Sequence, residues 1–178
     1  MKIRTLILLL LSASAWAEDL SLHLQAPQKS GVGYGEGFAV EIKNSGREDV
    51  ILVYPGDGSE SGWRTPSVGW SVLPFKPEGE RHPEEPPTYR GGRCGNINAI
   101  ETGDVFVLKP GESRELNWVD APRFKEKGKF RVVFYYKNVP GRGISGIPLG
   151  PHDPAALKRI RESRACSLIS NEVIVEVQ

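Results

Sequence analysis

The sequence predicts an all-β fold, an antiparallel β-sandwich with long loops and one short helix near the C-terminus. Short apolar runs with alternating or β-branched character recur along the chain, and turn-forming residues separate them. The 178 residues include 20 glycines and 14 prolines, which indicates many turns. A helix-favouring pattern stands out only late in the chain, so helices do not form a layer of the predicted fold.

The N-terminal residues have the pattern of a secretory signal peptide. A positive start at Lys2 and Arg4 precedes an apolar run over 6–11, and small residues in A-x-A order end at Ala17. The apolar run is too short for a transmembrane anchor, which needs about 20 residues. We therefore expect cleavage after Ala17, leaving 18–178 as a single β-sandwich domain that is secreted or periplasmic.

The strand predictions rest on side-chain alternation and β propensity. The strongest stretch is 128–136, because it is rich in β-branched and aromatic residues. Two further stretches, 38–44 and 50–54, flank a turn and together predict a hairpin. The complete set of predicted strands is 20–24, 38–44, 50–54, 68–73, 105–108, 114–119, 128–136 and 172–177.

One helix is predicted within the long stretch that follows the strand at 128–136. Asp153 is a good N-cap, Pro154 suits the first helical position, and 155–162 favours helix throughout. Leu157 and Ile160 lie three residues apart and are expected to pack this helix on the sandwich.

Three stretches carry a resemblance to a known family: 35–46 (GEGFAVEIKNSG), 108–116 (LKPGESREL) and 128–132 (GKFRV). They are similar to recurring stretches of the immunoglobulin-like and fibronectin-III-like domains of bacterial secreted proteins. The resemblance implies an immunoglobulin-like β-sandwich and a role as an adhesive, structural or binding module. Those domains usually carry a tyrosine where this chain has Phe130.

A plain sandwich of this type takes about 100 residues, so the additional residues of this chain must lie in the connections between strands. Three connections are long enough to contain them, over 55–67, 74–103 and 138–170. Long connections in compact domains are usually functional or disordered, so we expect the binding residues there.

The two cysteines, Cys94 and Cys166, are expected to form a disulfide in an oxidising compartment. This bond would tie the second long connection to the third. A catalytic or metal-binding thiol is the alternative, but the three histidines are scattered without ligand-like spacing.

The first candidate binding residues are Trp63, Arg64 and Trp70. Tryptophan and arginine dominate binding hot spots, and two aromatic rings beside an arginine can form a carbohydrate platform. The alternative is that Trp63 and Trp70 plug the sandwich or pack beneath their own loop.

The second set, Arg93, Asn96 and Asn98, surrounds Cys94. Such side chains can bind an anion or sugar hydroxyls. They can equally form a buried network that braces a long loop.

Composition and motifs favour a non-catalytic function. Lys and Arg total 23 against 22 Asp and Glu, so the chain lacks the basic excess that nucleic acids select. The stretch 143–147 fails the nucleophile motif G-x-S-x-G at its last position, so we expect no catalytic serine there. The sequence has no H-E-x-x-H zinc motif, and we expect no metal or cofactor.

We therefore expect a binding or interaction module for a protein or glycan of the cell envelope or exterior. An inhibitor of secreted proteases, which would use a stapled loop, is the first alternative. A cell-envelope hydrolase that draws its carboxylates from distant strands is the second.

Overall fold

A computed structural model describes residues 19–55, 65–76, 79–85, 101–116, 120–140 and 153–178. The predicted signal peptide lies outside these ranges. The strands are β1 (Leu20–Gln25), β2 (Lys29–Ser30), β3 (Gly33–Tyr34), β4 (Ala39–Asn44), β5 (Val50–Val53), β6 (Ser67–Pro74), β7 (Val105–Leu108), β8 (Ser113–Glu115), β9 (Arg123–Phe124), β10 (Gly128–Asn138), β11 (Cys166–Ile169) and β12 (Val173–Val177). A 3-10 turn spans Thr102–Asp104, and the α-helix α1 spans Pro154–Glu162.

The described chain is mostly β-strand with antiparallel pairing and one short α-helix, which confirms the predicted all-β class. One sheet has the order β1-β4-β8. The other is built around β10, which pairs with β6 along one edge and with β11 and β12 along the other. The short β2 joins that sheet in parallel with β12, while β3 pairs with β9 and β5 with β7.

The long strand β10 organises the core because its side chains alternate between two faces. Phe130, Val132, Phe134 and Tyr136 all point to one face and are buried. They pack with apolar residues of the three-stranded sheet in a single cluster. Burying side chains of this size stabilises the fold by about 1.5–3 kcal/mol each.

The predicted hairpin between 38–44 and 50–54 is wrong. Strand β4 pairs with β1 and β8, whereas β5 pairs with β7, so the chain crosses between sheets over 45–49. The buried Asn44 makes this crossing possible, since its Nδ2 donates to the carbonyls of Glu48 (2.8 Å) and Leu108 (2.9 Å). Its Oδ1 accepts from the backbone N–H of Gly46 (2.9 Å). The chain does turn between these two strands, as its sequence predicts. The hydrogen bonds of Asn44 to backbone groups favour a crossover between sheets instead of a tight hairpin.

The predicted helix is confirmed as α1. Asp153 caps it, accepting a 2.9 Å hydrogen bond from the backbone N–H of Ala155. The packing face differs from the prediction, because Ala156 and Ile160 are buried and Leu157 is only half-buried. Ala156 and Ile160 lie four residues apart on one helix face and pack with residues of β5 and β7. In the described ranges, no helix has the length and apolar character needed to cross a membrane.

Tyr136 joins the β10-centred sheet to the β5–β7 pair. Its hydroxyl donates to the Val53 carbonyl (2.7 Å) and accepts from the Val53 N–H (3.2 Å). The side chain is fully buried, and this burial raises the pKa of the phenol above its usual range. Phe130, six residues earlier on the same face of β10, is an apolar core residue.

Candidate binding cleft

Only one of the predicted binding residues, Trp70, lies in the described part of the chain. The other five lie outside the described residues: Trp63, Arg64, Arg93, Asn96 and Asn98. Cys94 does too, so the Cys94–Cys166 disulfide stays a prediction.

Trp70 lines a half-open cleft of about 480 Å³. The cleft lies where the start of β4 and the end of β8 approach β6, so both main sheets contribute to it. Its described lining residues are Gly35, Gly37, Phe38, Ala39, Val40, Trp70, Glu115, Leu116, Asp120 and Ala121.

Two aromatic rings and one hydrogen bond hold the indole of Trp70 in place. The centroid of the Trp70 ring lies 4.8 Å from that of Phe134, the residue paired with it on β10, and 5.7 Å from that of Phe38. Its Nε1 donates to the backbone carbonyl of Asp120. The side chain nevertheless remains partly exposed in the cleft. Trp70 thus combines the two roles that the sequence left open, packing against the core and lining a concave surface.

The glycine-rich segment before β4 allows Phe38 to reach Trp70. A Cβ at Gly35 would lie 2.6 Å from an atom of the Phe38 ring and 3.0 Å from the Phe124 ring, so only glycine fits there. Gly37 has a φ of +78°, a conformation that glycine adopts without a steric penalty. The two glycines therefore shape one wall of the cleft.

Sequence reasoning missed Phe38, Glu115 and Asp120 as cleft residues. Phe38 and Glu115 fall in predicted strands. Strand alternation already accounts for Phe38 as an inward side chain and Glu115 as an outward one, so neither suggested a cleft. The glycine pattern over 31–37 was the one available signal, because it marks a close approach of backbone and ring. Nothing local to Asp120 indicates that its carbonyl meets Trp70, fifty residues earlier.

A separate polar cluster lies on the outer face of the β10-centred sheet, where residues 79–85 cross that face. His82 Nδ1 lies 2.8 Å from Ser71 Oγ, and His82 Nε2 lies 3.2 Å from a Glu172 carboxylate oxygen. Arg131 contacts the same carboxylate at 3.5 Å. The Tyr135 hydroxyl donates to the Pro83 carbonyl at 2.6 Å.

Two more contacts hold the ends of this segment. Arg131 Nη2 donates to the carbonyl of Glu80, and Lys137 forms an ion pair with Glu85. The segment therefore covers the outward side of β10, which explains why the outward-facing Val133 and Tyr135 are buried.

The Ser71, His82 and Glu172 side chains have the order of a hydrolase relay, but their surroundings favour a fastening role. Ser71 is only 7% exposed and lies against the 79–85 segment. The His82 Nε2 contact with Glu172 is not aligned as a hydrogen bond, which leaves that nitrogen without such a partner in the described chain. A nucleophile needs access and an aligned base. We therefore interpret the cluster as the fastening of 79–85 to the sheet.

This interpretation predicts acid sensitivity through His82. Burial lowers the pKa of His82 below its ordinary value of 6.5, and the nearby Arg131 lowers it further, while Glu172 opposes both. The unfolded chain therefore takes up the proton at a higher pH than the folded protein. The contribution of His82 to stability is complete above pH 6.5 and is lost as the pH falls below that value.

We expect the free energy of unfolding to fall more steeply between pH 7.5 and pH 5 in the wild type than in His82→Gln. Urea denaturation at half-unit pH intervals measures both slopes. His23→Gln is the matched control, since His23 is exposed on β1, and it should keep the wild-type slope. Equal slopes for wild type and His82→Gln would contradict the prediction.

Cys166 lies at the start of β11, opposite Asn138. Burial raises the pKa of the Cys166 thiol to about 11. A thiol with this pKa is protonated at neutral pH and is a poor nucleophile or metal ligand, which favours a structural role over a catalytic one. Within the described ranges, no group of three or more His, Cys, Asp or Glu residues is arranged to hold a metal ion.

No family model, curated protein or solved structure matches this chain.

Proposed function

We propose that this protein is a secreted or periplasmic, non-catalytic binding module that holds its partner at the cleft beside Trp70. The observation that carries this proposal is a partly exposed tryptophan, fixed in place by Phe38, Phe134 and Asp120, in a half-open cleft of about 480 Å³. Large rigid aromatic side chains of this kind dominate binding energy at protein surfaces.

The proposed architecture is an immunoglobulin-like β-sandwich. In support, side chains of the β1-β4-β8 sheet and of the β10-centred sheet pack in one apolar cluster. The three family-like stretches also correspond to structured parts of the chain, since they include β4, β8 and the start of β10. Domains of this type commonly present binding surfaces at their edges and loops.

The cleft is preorganised, which favours binding. The Trp70 ring is clamped on two sides, and Gly35 leaves the space that the Phe38 ring fills. A surface that is already ordered loses little side-chain entropy when a partner binds. Little of the contact energy gained in the cleft is therefore lost to ordering its side chains.

The proposal predicts that filling the cleft abolishes partner binding. Ala121 lines the cleft and is partly exposed, so Ala121→Trp should occupy the cleft while leaving the core intact. We expect partners retained by the immobilised mature protein from envelope and secreted fractions to bind Ala121→Trp at least tenfold more weakly. Affinities are measured by surface plasmon resonance on the purified partner.

The matched control is Lys127→Trp, which adds the same side chain at an exposed position that does not line the cleft. It should bind like the wild type. If Ala121→Trp keeps the wild-type unfolding midpoint and the wild-type affinity for every retained partner, the cleft is not the binding site and the proposal fails.

A further inference from the structure

We propose that residues 79–85 form a pH-sensitive strap, which detaches from the outer face of the β10-centred sheet when His82 is protonated while both sheets stay folded. The strap lies on the opposite face of β6 from the Trp70 cleft, because it contacts Ser71, the residue that follows Trp70 in the strand. It is therefore a conformational device separate from the proposed binding site.

Side-chain contacts hold the strap on the sheet. In the described part of the chain, no backbone–backbone hydrogen bond joins residues 79–85 to another segment. No strap residue belongs to either apolar cluster of the described core. Segments with few buried apolar contacts and few backbone hydrogen bonds open locally at a lower free-energy cost than core strands do. The strap can therefore open without unfolding of the sandwich.

His82, in the middle of the strap, is its one side chain that is mostly buried. The imidazole is only 10% exposed, whereas its neighbours Arg81 and Pro83 are exposed. Its Nδ1 lies 2.8 Å from Ser71 Oγ, and its Nε2 is buried without a hydrogen-bond partner in the described chain. Loss of this attachment would free the middle of the strap.

The polar groups around His82 come from three elements of the sheet. Glu172, just before β12, has a carboxylate oxygen 3.2 Å from His82 Nε2 and 3.5 Å from Arg131 on β10. The hydroxyls of Ser71 on β6 and Tyr135 on β10 complete this surrounding. The other charged residues of the strap all have exposed side chains: Glu80, Arg81, Glu84 and Glu85.

Protonation of His82 places a cation in this enclosed cluster, beside the Arg131 guanidinium. Burial and Arg131 disfavour that cation more than Glu172 favours it, so the pKa of His82 in the closed strap lies below its ordinary value of 6.5. A released strap exposes the imidazole to water, where this cost is absent. Protonation therefore occurs more readily in the released strap, and a fall in pH through 6.5 shifts the strap towards release.

Release of the strap uncovers an apolar surface. Val133 and Tyr135 face outward from β10 but are buried. Ile169, which is paired with Tyr135, and Ile174, which is paired with Arg131, are already exposed on the same face. The closed strap keeps Val133 and Tyr135 from water, and its release makes both accessible beside the two isoleucines.

Limited trypsin digestion of the mature protein, residues 18–178, measures this opening. Cleavage of the Arg81–His82 bond requires the strap to leave the sheet, so its rate follows the open population. Mass spectrometry gives this rate, which is divided at each pH by the rate for a free peptide of residues 77–86. Because the peptide carries the same histidine, direct effects of its protonation on trypsin cancel. We expect this ratio to rise at least about threefold from pH 7.5 to pH 5.5.

Two pairs of variants assign the rise to His82, each compared with a peptide of matching sequence. His82→Gln cannot take up the proton and should show no rise, whereas His23→Gln, at an exposed position on β1, should keep it. Glu172→Gln removes the carboxylate that attracts the protonated imidazole, so its rise should be at least about twofold larger than that of the wild type. Glu176→Gln, on the same face of β12, should behave like the wild type.

A constant ratio in the wild type, or an equal rise in folded His82→Gln, would overturn the strap proposal. If His82→Gln does not fold, equal rises in Glu172→Gln and Glu176→Gln would overturn it. Cleavage of the Arg131–Val132 bond, in the middle of β10, reports unfolding of the whole sheet. A parallel rise at that bond would also overturn the proposal. None of these readouts involves the Trp70 cleft, so the proposed binding function is tested separately.

Discussion

Replacing Asn138 by Ala is expected to lower the free energy of unfolding by about 3 kcal/mol, since it leaves several buried polar groups without partners. Asn138 is 1% exposed at the end of β10. Its Nδ2 donates to Ser163 Oγ (2.8 Å) and to the Arg164 carbonyl (2.7 Å). Its Oδ1 accepts from Thr65 Oγ1 (2.6 Å), which itself accepts from the Val139 N–H.

Urea denaturation followed by circular dichroism measures this loss. Ser167→Ala is the matched control, because Ser167 is exposed on the neighbouring strand and should change stability by less than about 0.5 kcal/mol. A loss below about 1 kcal/mol for Asn138→Ala would mean that the hydrogen bonds are replaced by water and that the network is not a clamp.

The position of Asn138 gives this network a wider consequence. Thr65 is near the end of the first long connection of the sequence, Asn138 is at the start of the third, and Ser163 is near its end. Cys166, whose predicted partner Cys94 lies in the second connection, faces Asn138 across β10 and β11. If that disulfide forms, all three connections are anchored at one place in the fold.

Replacing Asn44 by Ala is expected to lower the free energy of unfolding by a similar amount, about 3 kcal/mol. Asn44 is fully buried, and its amide satisfies the carbonyls of Glu48 and Leu108 and the N–H of Gly46. These contacts join the two places where the chain crosses between sheets. Alanine would leave the buried Leu108 carbonyl without this partner, and it would also remove the partner of the part-buried Glu48 carbonyl and Gly46 N–H.

The same denaturation measurement applies, with Ser45→Ala as the control. Ser45 is the next residue, is exposed, and uses its backbone N–H rather than its side chain to bond Asp19. It should behave like the wild type. Equal stability of Asn44→Ala and Ser45→Ala would show that the crossover does not depend on the amide.

Elements whose own residues strongly favour one secondary structure were predictable from the sequence. The β-branched and aromatic residues of 128–136 predicted β10, and the cap and proline at 153–154 predicted α1. Strand pairing was less predictable, because a turn between two apolar stretches looks the same whether they pair with each other or with different sheets. Asn44 decides this case through contacts with Leu108, which lies 64 residues away.

The candidate site was predictable only in part, for the same reason. Trp70 was identified from its residue type, but Phe38, Glu115 and Asp120 reach it from distant parts of the chain. The cluster of Ser71, His82 and Glu172 was equally hidden, since it joins two strand regions and a loop.

The sequence by itself determined the all-β class, the helix near the C-terminus and the residue types that suit binding. These follow from local chemistry: alternation, β propensity, capping and the character of each side chain. Only the tertiary structure decided which strands share a sheet, which residues form the cleft around Trp70, and that His82 fastens residues 79–85. Each of these depends on satisfying buried polar groups and packing rings between distant segments, and a local pattern carries no information about those contacts.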